Sequence, residues 1–79
     1  MMGRQLWLGN APLWMTEPLV MQHFDAMGHP VPWKVLVRES AGYGTNMFCI
    51  ATCNTVKDAN NVMSLRGLRW PDHCHMVVK

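Results

Sequence analysis

Apolar and polar positions divide the chain into six short segments. Gln5-Leu6-Trp7-Leu8 is an apolar run ended by Gly9-Asn10, which suits a strand. Ala11 to Trp14 is a loop. Thr16-Glu17-Pro18 then starts a helix: a hydroxyl cap, an acid near the positive end of the dipole, and a proline in the first turn. Val20, Phe24 and Met27 recur at i, i+4 and i+7, one helical face, and Gly28 closes it. The two prolines of His29-Pro30-Val31-Pro32 make a connector. From Trp33 to Arg38 the pattern alternates, with Val35 and Val37 on one side and Lys34, Leu36 and Arg38 on the other, so a second strand is predicted. Glu39 to Thr45 holds two glycines and reads as a loop, and Asn46 to Cys53 as a third strand. Asn54-Thr55 caps a second helix, Thr55 and Asp58 having the spacing of a capping box. Its apolar stripe is Val56, Ala59 and Met63, flanked by Val62, and Gly67 ends it. Leu68 to Pro71 is a further loop and Cys74 to Val78 a fourth strand.

The order is β-α-β-β-α-β. That is the split βαβ pattern, an α+β ferredoxin-like plait in which both helices cover one face of a four-stranded antiparallel sheet. The other face stays open, and an open face carrying aromatic rings is a binding surface.

Composition narrows the choice. The 79 residues form one domain, residues 1–79, and the closing run HMVVK stops as if in mid-strand, so a larger parent protein is expected. Apolar residues are 49 % and charged residues 15 %, which argues for a packed core. No apolar run approaches the roughly 18 residues of a membrane span, and MMGRQLWLGN lacks a signal-peptide core. A net charge of +2 is weakly basic, so nucleic-acid binding would lean on stacking more than on charge.

Three cysteines, an odd number without a secretory context, read as reduced thiols of an intracellular protein. On a strand, Cys49 and Cys53 would lie about 13 Å apart, at about 3.3 Å per residue, too far to share one ion. They are expected to be small buried hydrophobes, and no metal or other cofactor is expected. His23, His29, His73 and His75 show no arrangement with a nucleophile, and Cys74 has its neighbours on the opposite strand face. With no phosphate loop and no paired carboxylates, a non-catalytic role is expected.

The hexamer LWLGNA, Leu6 to Ala11, resembles the first-strand motif of the RNA recognition motif family in five of six positions, Ala11 standing for Leu. The family's third-strand octamer can be sought in two registers. AGYGTNMF, Ala41 to Phe48, matches letters well but turns Asn46 inward without a partner, at about 1–3 kcal/mol, and leaves Cys49 to Thr55 as an apolar loop. NMFCIATC, Asn46 to Cys53, points Phe48 and Ile50 outward and Cys49, Ala51 and Cys53 inward, and is the register adopted. It departs from the family at Asn46 for a basic residue, Met47 for glycine, and Ile50 and Cys53 for aromatics.

The resemblance implies an RNA-binding module for mRNA processing, nuclear in location. Single-stranded RNA would stack on Trp7 and Phe48 beside Ile50 and Asn46, with Lys34, Arg38 and Lys79 near its phosphates. CIATCNTVKDA and LRGLRWP are also similar to the Acinus-type branch of the family, and Leu68-Arg69-Trp70 falls where the UHM-like subclass has Arg-any-Phe. Both are protein-binding types. They imply an alternative, a protein partner in an RNA-processing complex, held through Trp70, Arg69, Glu17 and Asp25. Trp14, Trp33 and Trp70 all fall at loops or strand ends, where exposed tryptophans serve as interface anchors.

Overall fold

A computed structural model describes residues 3–39 and 46–79. The elements are β1 (Gln5–Ala11), α1 (Glu17–Ala26), β2 (Lys34–Glu39), β3 (Met47–Thr52), α2 (Val56–Ser64) and β4 (Val77–Val78). One antiparallel sheet has the order β2-β3-β1-β4, as a ferredoxin-like plait requires. The predicted Gly42-Tyr43-Gly44 loop, like Met1 and Met2, lies outside the described residues.

A single core forms between the sheet and both helices. Leu6, Leu8, Val35, Cys49 and Ala51 enter it from the strands, Val20 and Phe24 from α1, and Ala59 and Val62 from α2. Each helix begins as its residues dictate. The Thr16 hydroxyl accepts from the Leu19 amide at 3.4 Å, and the Thr55 hydroxyl from the Asp58 amide at 3.0 Å. Gly28, at φ 75°, follows the Met27 cap of α1 in the left-handed region that favours glycine.

Three expectations need correction. The second helix stops at Ser64, because Leu65 is already extended at ψ 149° and packs against the core; Gly67 lies beyond its end. Its stripe turns about Ala59 and Val62, while Val56 stays 42 % exposed at the helix tip, a full turn before Ala59. The fourth strand is two residues long, and Leu68 to Met76 instead fold on themselves. The Trp70 amide donates to the Cys74 carbonyl at 2.8 Å and the Met76 amide to the Leu68 carbonyl at 2.9 Å. A turn through His73 (φ 69°) joins the two arms, and its Asp72 carboxylate accepts from the Cys74 amide at 3.0 Å. His73 and Cys74 therefore lie at the turn and His75 on the returning arm, paired with Arg69; all three are exposed.

No helix among the described residues is long and apolar enough to cross a membrane.

Phe24 is wholly buried, so Phe24→Ala is expected to lower unfolding free energy by about 3–5 kcal/mol in urea titration. Thr55→Ala is expected to cost about 1 kcal/mol in the same measurement. Near-equal losses would mean that Phe24 does not carry the core.

Candidate functional site on the open face of the sheet

The register of the two central strands builds the site. Across β1 and β3 the partners are Gln5 with Thr52, Leu6 with Ala51, Trp7 with Ile50, and Leu8 with Cys49. Across β2 and β3, Lys34 faces Thr52, Leu36 faces Ile50, and Arg38 faces Phe48. Beyond β1, Trp7 and Lys79 exchange both backbone hydrogen bonds at 2.9 Å, and Gly9 faces Val77. Leu6, Leu8, Cys49 and Ala51 are buried, so alternation sends the other set outward. The open face thus carries a middle row of Leu36, Ile50, Trp7 and Lys79. A polar row of Lys34, Thr52 and Gln5 lies to one side of it, and Arg38, Phe48, Gly9 and Val77 to the other. Phe48 and Ile50 out, Cys49, Ala51 and Cys53 in, is the orientation expected for a strand over Asn46 to Cys53.

Two rings dominate this face. The Trp7 and Phe48 centroids are 5.8 Å apart with planes 24° from parallel, an offset stack. The Lys79 ammonium lies over the Trp7 indole, 5.1 Å from its centroid. Trp7 leans along its own strand until it covers Gly9: a Cβ on Gly9 would overlap Cζ3 and Cη2 of the indole. The strand is bulged at this point. Its register shifts between Leu8 and Ala11, and Asn10 takes φ 66°. Asn10 braces the bulge, donating to the His75 carbonyl at 2.8 Å and accepting from the Asn46 side-chain amide. Asn46 is thus an exposed brace at the rim, next to the rings.

Charge is distributed unevenly. Lys34, Arg38 and Lys79 all lie on the open face, and none of its described residues is acidic. Glu17 and Asp25 are exposed on α1, behind the core.

Trp70 is not an exposed anchor. It is 1 % exposed, inside the core, and its indole N–H donates to the Gly9 carbonyl at 3.0 Å. Its ring stacks on His23 of α1, centroids 6.4 Å apart, and His23 Nε2 contacts the Arg69 carbonyl at 2.6 Å. Burial follows from the hairpin of residues 68–76, which folds its apolar arm inward. Arg69 remains exposed, its guanidinium donating to the His73 carbonyl at 2.8 Å within that hairpin. Trp14 and Trp33 do stand out, at 54 % and 55 % exposure. Gly9, Gln5, Thr52 and Leu36 belong to the open face but were not expected as site residues. The parity of the strands could have added all four.

Among the described residues no three metal-ligating side chains cluster. Cys49 and Cys53 are buried as expected, whereas Cys74 is exposed. Burial first, then the charge of Glu17, pushes the Cys49 thiol up to about 11. Burial first, then Asp58, raises Cys53, and a hydrogen bond with Asp72 is the main cause that raises Cys74. The chain matches no protein-family model, no curated protein and no solved structure.

A raised thiol pKa favours the fold while the thiol is neutral. Above the ordinary value of 9.0 the unfolded chain loses its Cys49 proton first, so stability is expected to fall from pH 9.0 to about 11. Cys49→Ala should flatten that part of a pH-stability profile, and an unchanged slope would show that the thiol is solvated in the fold. In a thiol-reagent assay on native protein, Cys74 is expected to react ahead of Cys49 and Cys53.

Proposed function

We propose that this domain is a non-catalytic RNA-binding module of the RNA recognition motif type, holding single-stranded RNA on the open face of its sheet. The observation that carries this reading is the Trp7–Phe48 pair, two half-exposed rings 5.8 Å apart on a face with three cations and no described acid. Stacking of bases on such rings contributes about 1–3 kcal/mol each. Two bases would lie on Trp7 and Phe48, with Ile50 and Leu36 as an apolar floor beside them. Lys34, Arg38 and Lys79 would meet phosphates, and Lys79 must move aside for a base to reach the outer face of Trp7. Gln5 and Thr52 are neutral hydrogen-bonding groups within the same face, suited to base edges. The reading carries with it a nuclear setting in mRNA processing.

A protein partner on the helical side is the second reading. It rests on Trp14, exposed beside Leu19, Gln22, His23, Ala26 and Pro71 in a shallow, mainly apolar groove; Trp70 itself is buried. Glu17, Asp25 and Arg69 are exposed and would flank such a partner.

Fluorescence anisotropy with a pool of short single-stranded RNA separates the two. Trp7→Ala or Phe48→Ala is expected to weaken binding by about tenfold or more while the amide spectrum stays dispersed. With three cations engaged, log K is expected to fall with log salt at a slope of about −2. A flat titration at saturating RNA would remove this reading and leave the helical groove as the surface to probe.

A further inference from the structure

Gly9 is buried although it lies on the open face of the sheet, because the Trp7 ring covers it. No other residue type would accept that contact, since a Cβ would occupy the space of the indole's six-membered ring. The ring therefore sits directly on backbone, and its orientation depends on how that peptide is held. Two features hold it. The bulge brings Gly9 and Asn10 together opposite Phe48, the residue whose ring stacks on Trp7. From the other side of the sheet, the buried Trp70 indole donates to the Gly9 carbonyl at 3.0 Å. Trp70 is itself clamped between the core and His23, with almost no exposed surface through which to swing.

We propose that Gly9 is the seat of the Trp7 ring and that Trp70, through its hydrogen bond to the Gly9 carbonyl, is a positioning residue for the stacking surface on the opposite face. The inference rests on the RNA-binding reading for its functional consequence, and on geometry alone for the placement of the ring. Trp70 touches no ligand in this arrangement. It fixes the plane of the Gly9 peptide, and the ring laid on that peptide is presented ready for a base. Preorganisation of this kind improves affinity because less freedom is lost on binding.

Trp70→Phe removes the N–H and keeps most of the apolar volume. In the labelled domain the Gly9 α-protons should lie strongly upfield, within the Trp7 ring current, and show cross-peaks to the Trp7 ring. Trp70→Phe is expected to abolish both signatures with the amide spectrum still dispersed, and to weaken RNA binding about tenfold. Gly9→Ala is expected to do the same from the other side, since the half-exposed indole can swing away from the new methyl group. If Trp70→Phe does not fold, synthesis of the 79-residue chain with benzothienylalanine at position 70 keeps the ring shape without the N–H, and the same readouts apply. Unchanged Gly9 shifts in the N–H-less variant would overturn the positioning role. Lost shifts with unchanged RNA affinity would overturn its link to binding. Wild-type protein that shows the shifts but no RNA binding would sink the RNA reading while leaving the seat intact.

Discussion

Leu8 faces Cys49 across the two central strands, and the open face takes its composition from that pairing. A slip of one residue would turn Cys49, Ala51 and Cys53 outward and bury Phe48 and Ile50. Burial resists the slip. Leu6 and Leu8 are at most 1 % exposed, and so are Cys49 and Ala51, so the slipped register would take apolar groups out of the core on both strands at once. The same pairing sets Trp7 against Ile50 and Arg38 against Phe48. Rings and cations share one surface because the core side leaves them no other.

The core carries a second constraint. What β3 and the residue after it bury is small, Cys49 and Ala51 from the strand and Cys53 just beyond it. A close-packed interior then takes its bulk from elsewhere. Trp70 and Phe24 are the largest side chains that are fully buried, one from the hairpin before β4 and one from α1. Trp70 is a buried side chain with a polar handle, and that handle reaches the strand carrying Trp7. The two faces of the sheet are joined by a hydrogen bond as well as by packing.

Much of this could be read along the chain. Thr16, Thr55 and Gly28 act locally, through caps and a left-handed turn, and their roles follow from residue type and spacing. Strand parity is also local, so the faces of Trp7, Phe48, Ile50, Lys34 and Arg38 were legible once the strands were found. What escaped is set by partners far away in sequence. Trp70 stands beside Pro71 in a stretch that looks like a loop, and nothing nearby shows that its N–H meets the Gly9 carbonyl 61 residues away. The bulge at Gly9-Asn10 was hidden too, because the same dipeptide also reads as the end of a strand. The brevity of β4 has a similar origin: residues 68–76 can pair with one another, and alternation alone cannot distinguish that from pairing with β1.

The bonds that complete β1 join residues far apart in sequence. Asn10 reaches the His75 carbonyl across 65 residues, and Trp70 reaches Gly9 across 61. Contacts of such sequence separation form late and slow the search, since a long loop must close before they repay its entropy. During synthesis, β1 emerges before the hairpin of residues 68–76 and cannot acquire its full complement of neighbours until that hairpin has followed. The Trp7 surface is thus a product of the completed fold: a nascent chain that already holds the first strand, both helices and β3 still lacks the contact that seats its ring.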